Sequence, residues 1–293
     1  MILFLLGCAG QPELPETGDT GYYVEIQTNT IPLEVLPLLR RISLDFRGVP
    51  LSIDEFEVVE GLLTEGGDSE EIIDDWTNRF LNDERVEERL VHLLSEKWLT
   101  KRDQFNIRYD QLNLPAIEEF EYERSVGEEP LRLIANITMS DVPWTEVVTS
   151  DFTMANEMLS SIWPIDYPEG ETGWQRSYYN DGRPAGGVMM SNGLWWRYYT
   201  TPFNYNRRRA ATIVKLLLCE DYLSRPVRLG DTSNILEEGA DDAISNNEAC
   251  KSCHVTMDPL AAGFFGFWWF DIYDPEELSV YHISREHLGE TFL

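Results

Sequence analysis

The chain has 293 residues, 43% of them hydrophobic, enough to bury a substantial core and too apolar for a disordered polymer. Its 52 acidic against 23 basic residues leave a formal charge of −29, which argues against nonspecific binding to nucleic acid or to anionic lipid heads. Acidic runs such as Asp68-Ser69-Glu70-Glu71 and Glu118-Glu119-Phe120-Glu121 read as solvated helix faces, and neither identifies a substrate.

At the start, Met1 to Gly10 is apolar but too short to cross a bilayer as a helix. Leu5-Leu6-Gly7-Cys8 resembles a lipobox, in which cleavage leaves Cys8 as a lipidated N-terminus; without a basic n-region, residues 1–8 read as a truncated or atypical lipoprotein signal. Residues 9–32, with little to bury and prolines at 12 and 15, read as a flexible tether.

From Pro37 the pattern turns helical, with Leu38, Leu39, Ile42 and Phe46 in one stripe and Gly48 then Pro50 as its stop. Ser52-Ile-Asp-Glu55 is a capping box that starts a second helix through Phe56, Val59 and Leu63. Asp45 and Glu55 could suggest paired acid–base chemistry, but the cap explains Glu55 more simply. A third helix is expected over about Glu70 to Phe80. A fourth, over about Glu84 to Leu99, buries Val86, Leu90, Leu93, Leu94 and Trp98 and carries His92 as a partly buried helix residue.

Residues 100–114 have weak periodicity. Separate helices are expected at about Pro115 to Arg124 and at Pro130 to Ser140, with each proline in a first turn, and Asp141-Val-Pro-Trp144 opens a further turn. The stretch from Trp163 to Gly187 reads as an irregular bridge. Trp195-Trp196 and Tyr198-Tyr199 read as half-buried aromatics or as contact residues. A strong helix follows over about Arg207 to Cys219, within which Cys219 reads as a buried, unpaired thiol. After Pro226 the chain is loop-like until it reaches two cysteines.

Cys250-Lys251-Ser252-Cys253-His254 places two thiols two residues apart with a histidine directly after the second. Two such thiols can form thioethers with the vinyl groups of a haem while the imidazole binds its iron, so the unit is a c-type haem attachment signal. A Cys250–Cys253 disulfide, or a zinc site that also uses His254 and Cys219, employs the same atoms, but neither requires the histidine at that position. Pro259, Gly263 and Phe264, with the aromatics through Phe270, could line such a group or simply form a core. Met257 lies too near His254 to reach the opposite face of a haem. Met189 and Met190 on their glycine-flanked segment, His282, His287 and His92 are the candidates for a distal ligand, alongside an open site.

Residues 250–264, Cys-Lys-Ser-Cys-His-Val-Thr-Met-Asp-Pro-Leu-Ala-Ala-Gly-Phe, resemble the C-x-x-C-H-x-x-I-D-P-L-G-F segment of the planctomycete-type family of cytochrome c-like proteins, known mainly as domains of unknown function. Asp151-Phe-Thr-Met-Ala-Asn-Glu-Met158 is similar to that family's D-Y-T-F-x-N-E stretch, and Gly186 to Met190 to its G-G-x-L-T segment. Arg207 to Cys219 is similar to its R-G-x-W-V-L-E helix, and Arg41 to Glu55 to its R-L-x-x-D-L-x-G-x-P-P-x-x-E-E element. Met190-Ser191 stands where the family has Thr-His, and Phe267 to Phe270 replaces a more polar run. The resemblance implies one covalent haem and supplies no catalytic cycle.

Together these readings give a predominantly α-helical fold: an irregular multi-helix domain with long loops and a C-terminal c-type haem-binding segment. Residues 33–160 are expected to form a helical domain and residues 161–293 a loop-rich haem-binding module packed against it. The expected function is one-electron transfer by an extracytoplasmic protein, periplasmic or at the cell surface, anchored to a bacterial membrane through Cys8. Its partner is then a redox protein or an envelope assembly, not nucleic acid. A haem-stapled structural lipoprotein is the alternative, and a peroxidase-like enzyme a third reading; whether the protein is an enzyme stays open.

Overall fold

A computed structural model of the chain describes residues 33–101, 119–224, 248–268, 277 and 279–292. Leu5 to Cys8, the tether, most of the weakly periodic stretch after Thr100 and the loop after Pro226 lie outside the described residues. The chain divides into two compact units, Met1–Arg89 and Leu90–Leu293. The fold is mostly α-helical, with irregular connections and one small sheet.

In the first unit, α1 (Val35–Arg47) ends where Gly48 takes φ +74°, a left-handed cap whose N–H donates to the Leu44 carbonyl at 3.1 Å. α2 (Ile53–Thr64) begins in the capping box: the Glu55 amide donates to Ser52 Oγ at 3.2 Å and the Ser52 amide to Glu55 Oε2 at 2.7 Å. Asp68 caps α3 (Ser69–Leu81) through the amides of Glu70 and Glu71. Leu39, Val59, Ile72, Trp76 and Phe80 close the core of these three helices.

Arg47 is the polar hub of this unit. Its buried guanidinium donates to both Glu55 oxygens at 2.7 and 3.0 Å and to Asp83 at 3.3 Å, while lying 4.1 Å over the Phe80 ring. The Arg47 hydrogen bond is the main reason Glu55 sits below its usual carboxylate range, and Arg85 does the same for Asp83. Glu55 therefore acts in capping and packing, while Asp45 forms an exposed ion pair with Arg41. α4 (Arg85–Trp98) follows, with His92 on its exposed side.

The second unit corrects the expected break at Pro130. α5 (Glu119–Met139) is one continuous helix of 21 residues with Pro130 inside it. Proline has no N–H to give Val126, four residues earlier, which frees that carbonyl. Gly193, in α8 (Asn192–Arg197), lies so close to the Val126 oxygen that a Cβ would collide with it and crowd the Pro130 ring. Only glycine at that position lets the neighbouring helix pack over the proline turn.

Two adjacent glutamates of α5 are fully buried. Glu128 is neutralised by Lys101 at 2.7 Å, Arg124 at 2.9 Å and Arg132 at 2.8 Å. Glu129 has no cation at that range among the described residues; it accepts from Thr153 Oγ1 at 2.8 Å, Tyr179 Oη at 2.7 Å and the Gly193 amide at 2.7 Å. Burial pushes the Glu129 carboxyl up from its usual value, although all three donors pull it down.

Those donors sit on elements that sequence pattern did not reveal. Thr153–Ala155 (β1), Ile165–Asp166 (β2) and Gln175–Tyr179 (β3) form an antiparallel sheet in the order β1–β3–β2, with Thr153 opposite Ser177 and Ile165 opposite Tyr179. Two of the three strands lie in the expected irregular bridge. Short helices α6 (Glu146–Thr149) and α7 (Glu157–Ile162) flank β1, and α8 is Asn192–Arg197. Trp195 and Trp196 are both buried, so neither is an exposed contact residue.

α9 spans Arg207–Leu217, stopping short of Cys219, and α10 (Glu248–Ala262) packs against it and against the 3-10 segment Ile283–Phe292. Among the described residues, no helix is long and apolar enough to cross a membrane.

Two glycines test this packing in opposite directions. Gly193→Ala should destabilise the second unit by about 1–3 kcal/mol through overpacking. Gly61→Ala, in the middle of α2 with open space around it, should stabilise the first unit by about 0.5–1 kcal/mol. Urea unfolding followed by hydrogen exchange in each unit reads both; a neutral Gly193→Ala would contradict the packing described for Pro130.

Candidate functional site

Residues 250, 253, 254, 257 and 258 follow the three- and four-residue spacing of one helix face. On α10 that face is half-buried: Cys250, Cys253, His254, Met257 and Asp258 are partly covered, whereas Lys251, Ser252, Val255 and Thr256 between them are exposed. Both thiols are free, so the disulfide alternative is not formed.

Among the described residues, His254 is tied down on one side only. Its Nδ1 lies 3.1 Å from both oxygens of Asp258, one turn further along the helix. Arg207, the first residue of α9, grips the same carboxylate with Nε at 2.8 Å and Nη2 at 3.1 Å. Side-chain exposures of 21% for His254, 13% for Asp258 and 17% for Arg207 place the group at the edge of the core, where charge–charge contacts are poorly screened. Burial raises the Asp258 carboxyl, but the hydrogen bonds and charges of Arg207 and His254 outweigh it, and the net position is below the usual carboxylate range. An ionised carboxylate can only accept, so neutral His254 carries its proton on Nδ1 and keeps the Nε2 lone pair.

This donor set suits a c-type haem in its chemistry: two free thiols and a histidine share one face, with Nε2 as the ligating atom. No cluster of three or more metal-binding side chains occurs among the described residues, which leaves the zinc reading without even a third converging ligand there. Cys219 is also unable to serve there. It is exposed, lies beyond the end of α9 at φ +59° and is disulfide-bonded, which corrects its reading as a buried free thiol within the helix.

Past α10, the aromatic run enters the core. Phe264, Phe265 and Phe267 are buried; Phe264 meets Trp195 edge-on at 4.8 Å, and Phe267 meets Tyr281 at 5.0 Å. Buried Arg209 donates to the Trp268 carbonyl at 2.8 Å, tying this segment to α9. Pro259 and Gly263 are exposed.

The distal candidates are scattered and locally engaged. Met189 and Met190 close a 3-10 turn, Gly187–Met190, that packs on α5 and α6, with the Met190 side chain over Gly186. His282 Nε2 faces the Glu277 carbonyl and carboxylate, both at 3.1 Å. Exposed His287 uses Nδ1 on the Ser284 carbonyl at 2.8 Å, within the segment that packs on α10. His92 is exposed on α4, 3.9 Å from Glu96.

Sequence reasoning missed two features. The i, i+4 spacing of His254 and Asp258 was available as a signal for their contact, whereas Arg207 lies 51 residues upstream and carried none. The buried Glu129 cluster was hidden because Glu128-Glu129 has the appearance of a surface pair.

A family model described as PSD4, protein of unknown function (DUF1592), matches residues 63–165, about a third of the chain. The matched segment includes α5, β1 and the Asp151 to Met158 stretch and ends before α10, which is consistent with the resemblance drawn from the residues. No curated protein and no solved structure matches.

The thiol assignments predict a specific labelling pattern in the chain produced without haem maturation. Iodoacetamide should alkylate Cys250 and Cys253 without reductant and Cys219 only after reduction, read by peptide mass analysis. A Cys250–Cys253 disulfide in that material would contradict the site as described.

Proposed function

We propose that the protein is an exported c-type cytochrome-like protein that transfers single electrons through one haem held by Cys250, Cys253 and His254. The observation that carries this reading is the half-buried face of α10, where two free thiols adjoin a histidine whose Nδ1 is occupied and whose Nε2 is not. A haem bound there supplies a one-electron ferric/ferrous couple, with its potential set by axial ligation and the surrounding polarity.

The chain's own residues do the rest. Cys250 and Cys253 anchor, His254 presents Nε2, and Asp258 with Arg207 orients the ring. In an extracytoplasmic protein, covalent attachment prevents loss of the group by dilution. Outside the cytoplasm, such a carrier would face a redox partner or an envelope assembly.

A structural role for the same haem is the second reading, and the aromatic core favours it. Phe264, directly after α10, is buried against Trp195 of α8, so attachment at one end of α10 would stabilise packing at the other.

Production with a functioning c-type maturation system, followed by intact and peptide mass analysis, should find one haem on the Cys250 to His254 peptide. Cys250→Ala or Cys253→Ala should weaken covalent retention, and His254→Ala should change the visible spectrum. Reversible spectral change between reduced and oxidised protein supports the carrier; stable attachment without redox response supports the structural role. If a control cytochrome matures in the same cells and this peptide carries no haem, the proposal fails.

A further inference from the structure

We infer that Asp258, held by Arg207, is the positioning residue that fixes which nitrogen of His254 meets a metal and how strongly that nitrogen donates. The consequence for redox potential rests on the proposed haem attachment; the consequence for the imidazole does not.

The inference starts from the shape of the contact. Arg207 binds both Asp258 oxygens through its planar fork, at 2.8 and 3.1 Å, which fixes the carboxylate plane. His254 Nδ1 then lies 3.1 Å from each of those oxygens, so its N–H points between two acceptors sharing a full negative charge. His254 and Asp258 are one turn apart on the same helix, and Arg207 approaches from α9, so two packed helices must hold their register for the contact to exist.

A carboxylate that accepts from Nδ1–H draws the proton toward itself and raises the basicity of the ring's other nitrogen. An iron bound at Nε2 is therefore stabilised more in the ferric state, which carries the extra positive charge, and the potential falls. Arg207 opposes this: it withdraws charge from the same carboxylate and places its own positive charge nearby. Asp258 and Arg207 thus push the potential in opposite directions, and the native pair holds it between the two extremes. Two charges that acted only through space would also oppose each other in sign, so the imidazole route is read from the tautomer of His254.

The test uses the full chain in two forms. In haem-free protein above neutral pH, nitrogen-15 NMR of the histidine rings should find His254 protonated at Nδ1, and Asp258→Ala should shift the proton largely to Nε2. In haem-loaded protein, Asp258→Asn, which keeps the side-chain shape, should raise the ferrous-to-ferric ratio at fixed potential about tenfold, a positive shift of about 59 mV for one electron. Arg207→Gln should move the midpoint the other way. An unchanged tautomer in Asp258→Ala, or midpoints that stay put or move in the same direction in both variants, overturns the inference. If no haem attaches, the proposed function fails and the tautomer alone decides this point.

Discussion

Glu129 is fully buried and forms no ion pair among the described residues, and the second unit is arranged around satisfying it. Its three donors come from β1, β3 and the first turn of α8, each separated from Glu129 in sequence by at least 24 residues. A buried carboxylate that lost those donors would be among the most costly groups in the molecule. The Gly193 amide reaches it across a close approach to Val126 and Pro130 that a side chain at position 193 would block. One proline, one glycine and one glutamate therefore specify how the sheet and α8 meet α5.

From α8 the constraint passes to the haem-attachment helix by packing. Trp195 is buried in α8 and takes Phe264 edge-on, which fixes the chain immediately after α10. Arg209 holds the following backbone, and Arg207, two residues earlier on α9, holds Asp258 within α10. Two arginines of one helix thus serve different ends, one satisfying buried carbonyls and the other orienting the imidazole. α10 can expose a half-buried reactive face because its other contacts are already fixed.

What was legible in the sequence was local. The Gly48 cap and the Ser52–Glu55 box both depend on residues a few positions apart, and both form as expected. Cys250, Cys253 and His254 were legible because their chemistry requires adjacency. Pro130 was misread as a helix start because its packing inside α5 involves Gly193, 63 residues away. The sheet escaped notice because strands of two to five residues are too short for an alternating pattern to emerge between prolines and glycines. The apolar helix expected to run through Cys219 ends two residues before it, at Leu217. Asp258 was matched as part of a motif, but its bond to Arg207 is a tertiary contact that no local pattern announces.

The central claim is that the half-buried face of α10 is built to hold a haem iron through His254 Nε2, with Nδ1 reserved for Asp258. A crystal structure of the chain after c-type maturation tests it most directly, with anomalous scattering to locate the iron. The account predicts density continuous from both Cys250 and Cys253 sulfurs to one haem, iron at His254 Nε2, and Asp258 still paired with Arg207 and Nδ1. Iron bound elsewhere, or a turned imidazole with Nδ1 on the metal, would contradict it.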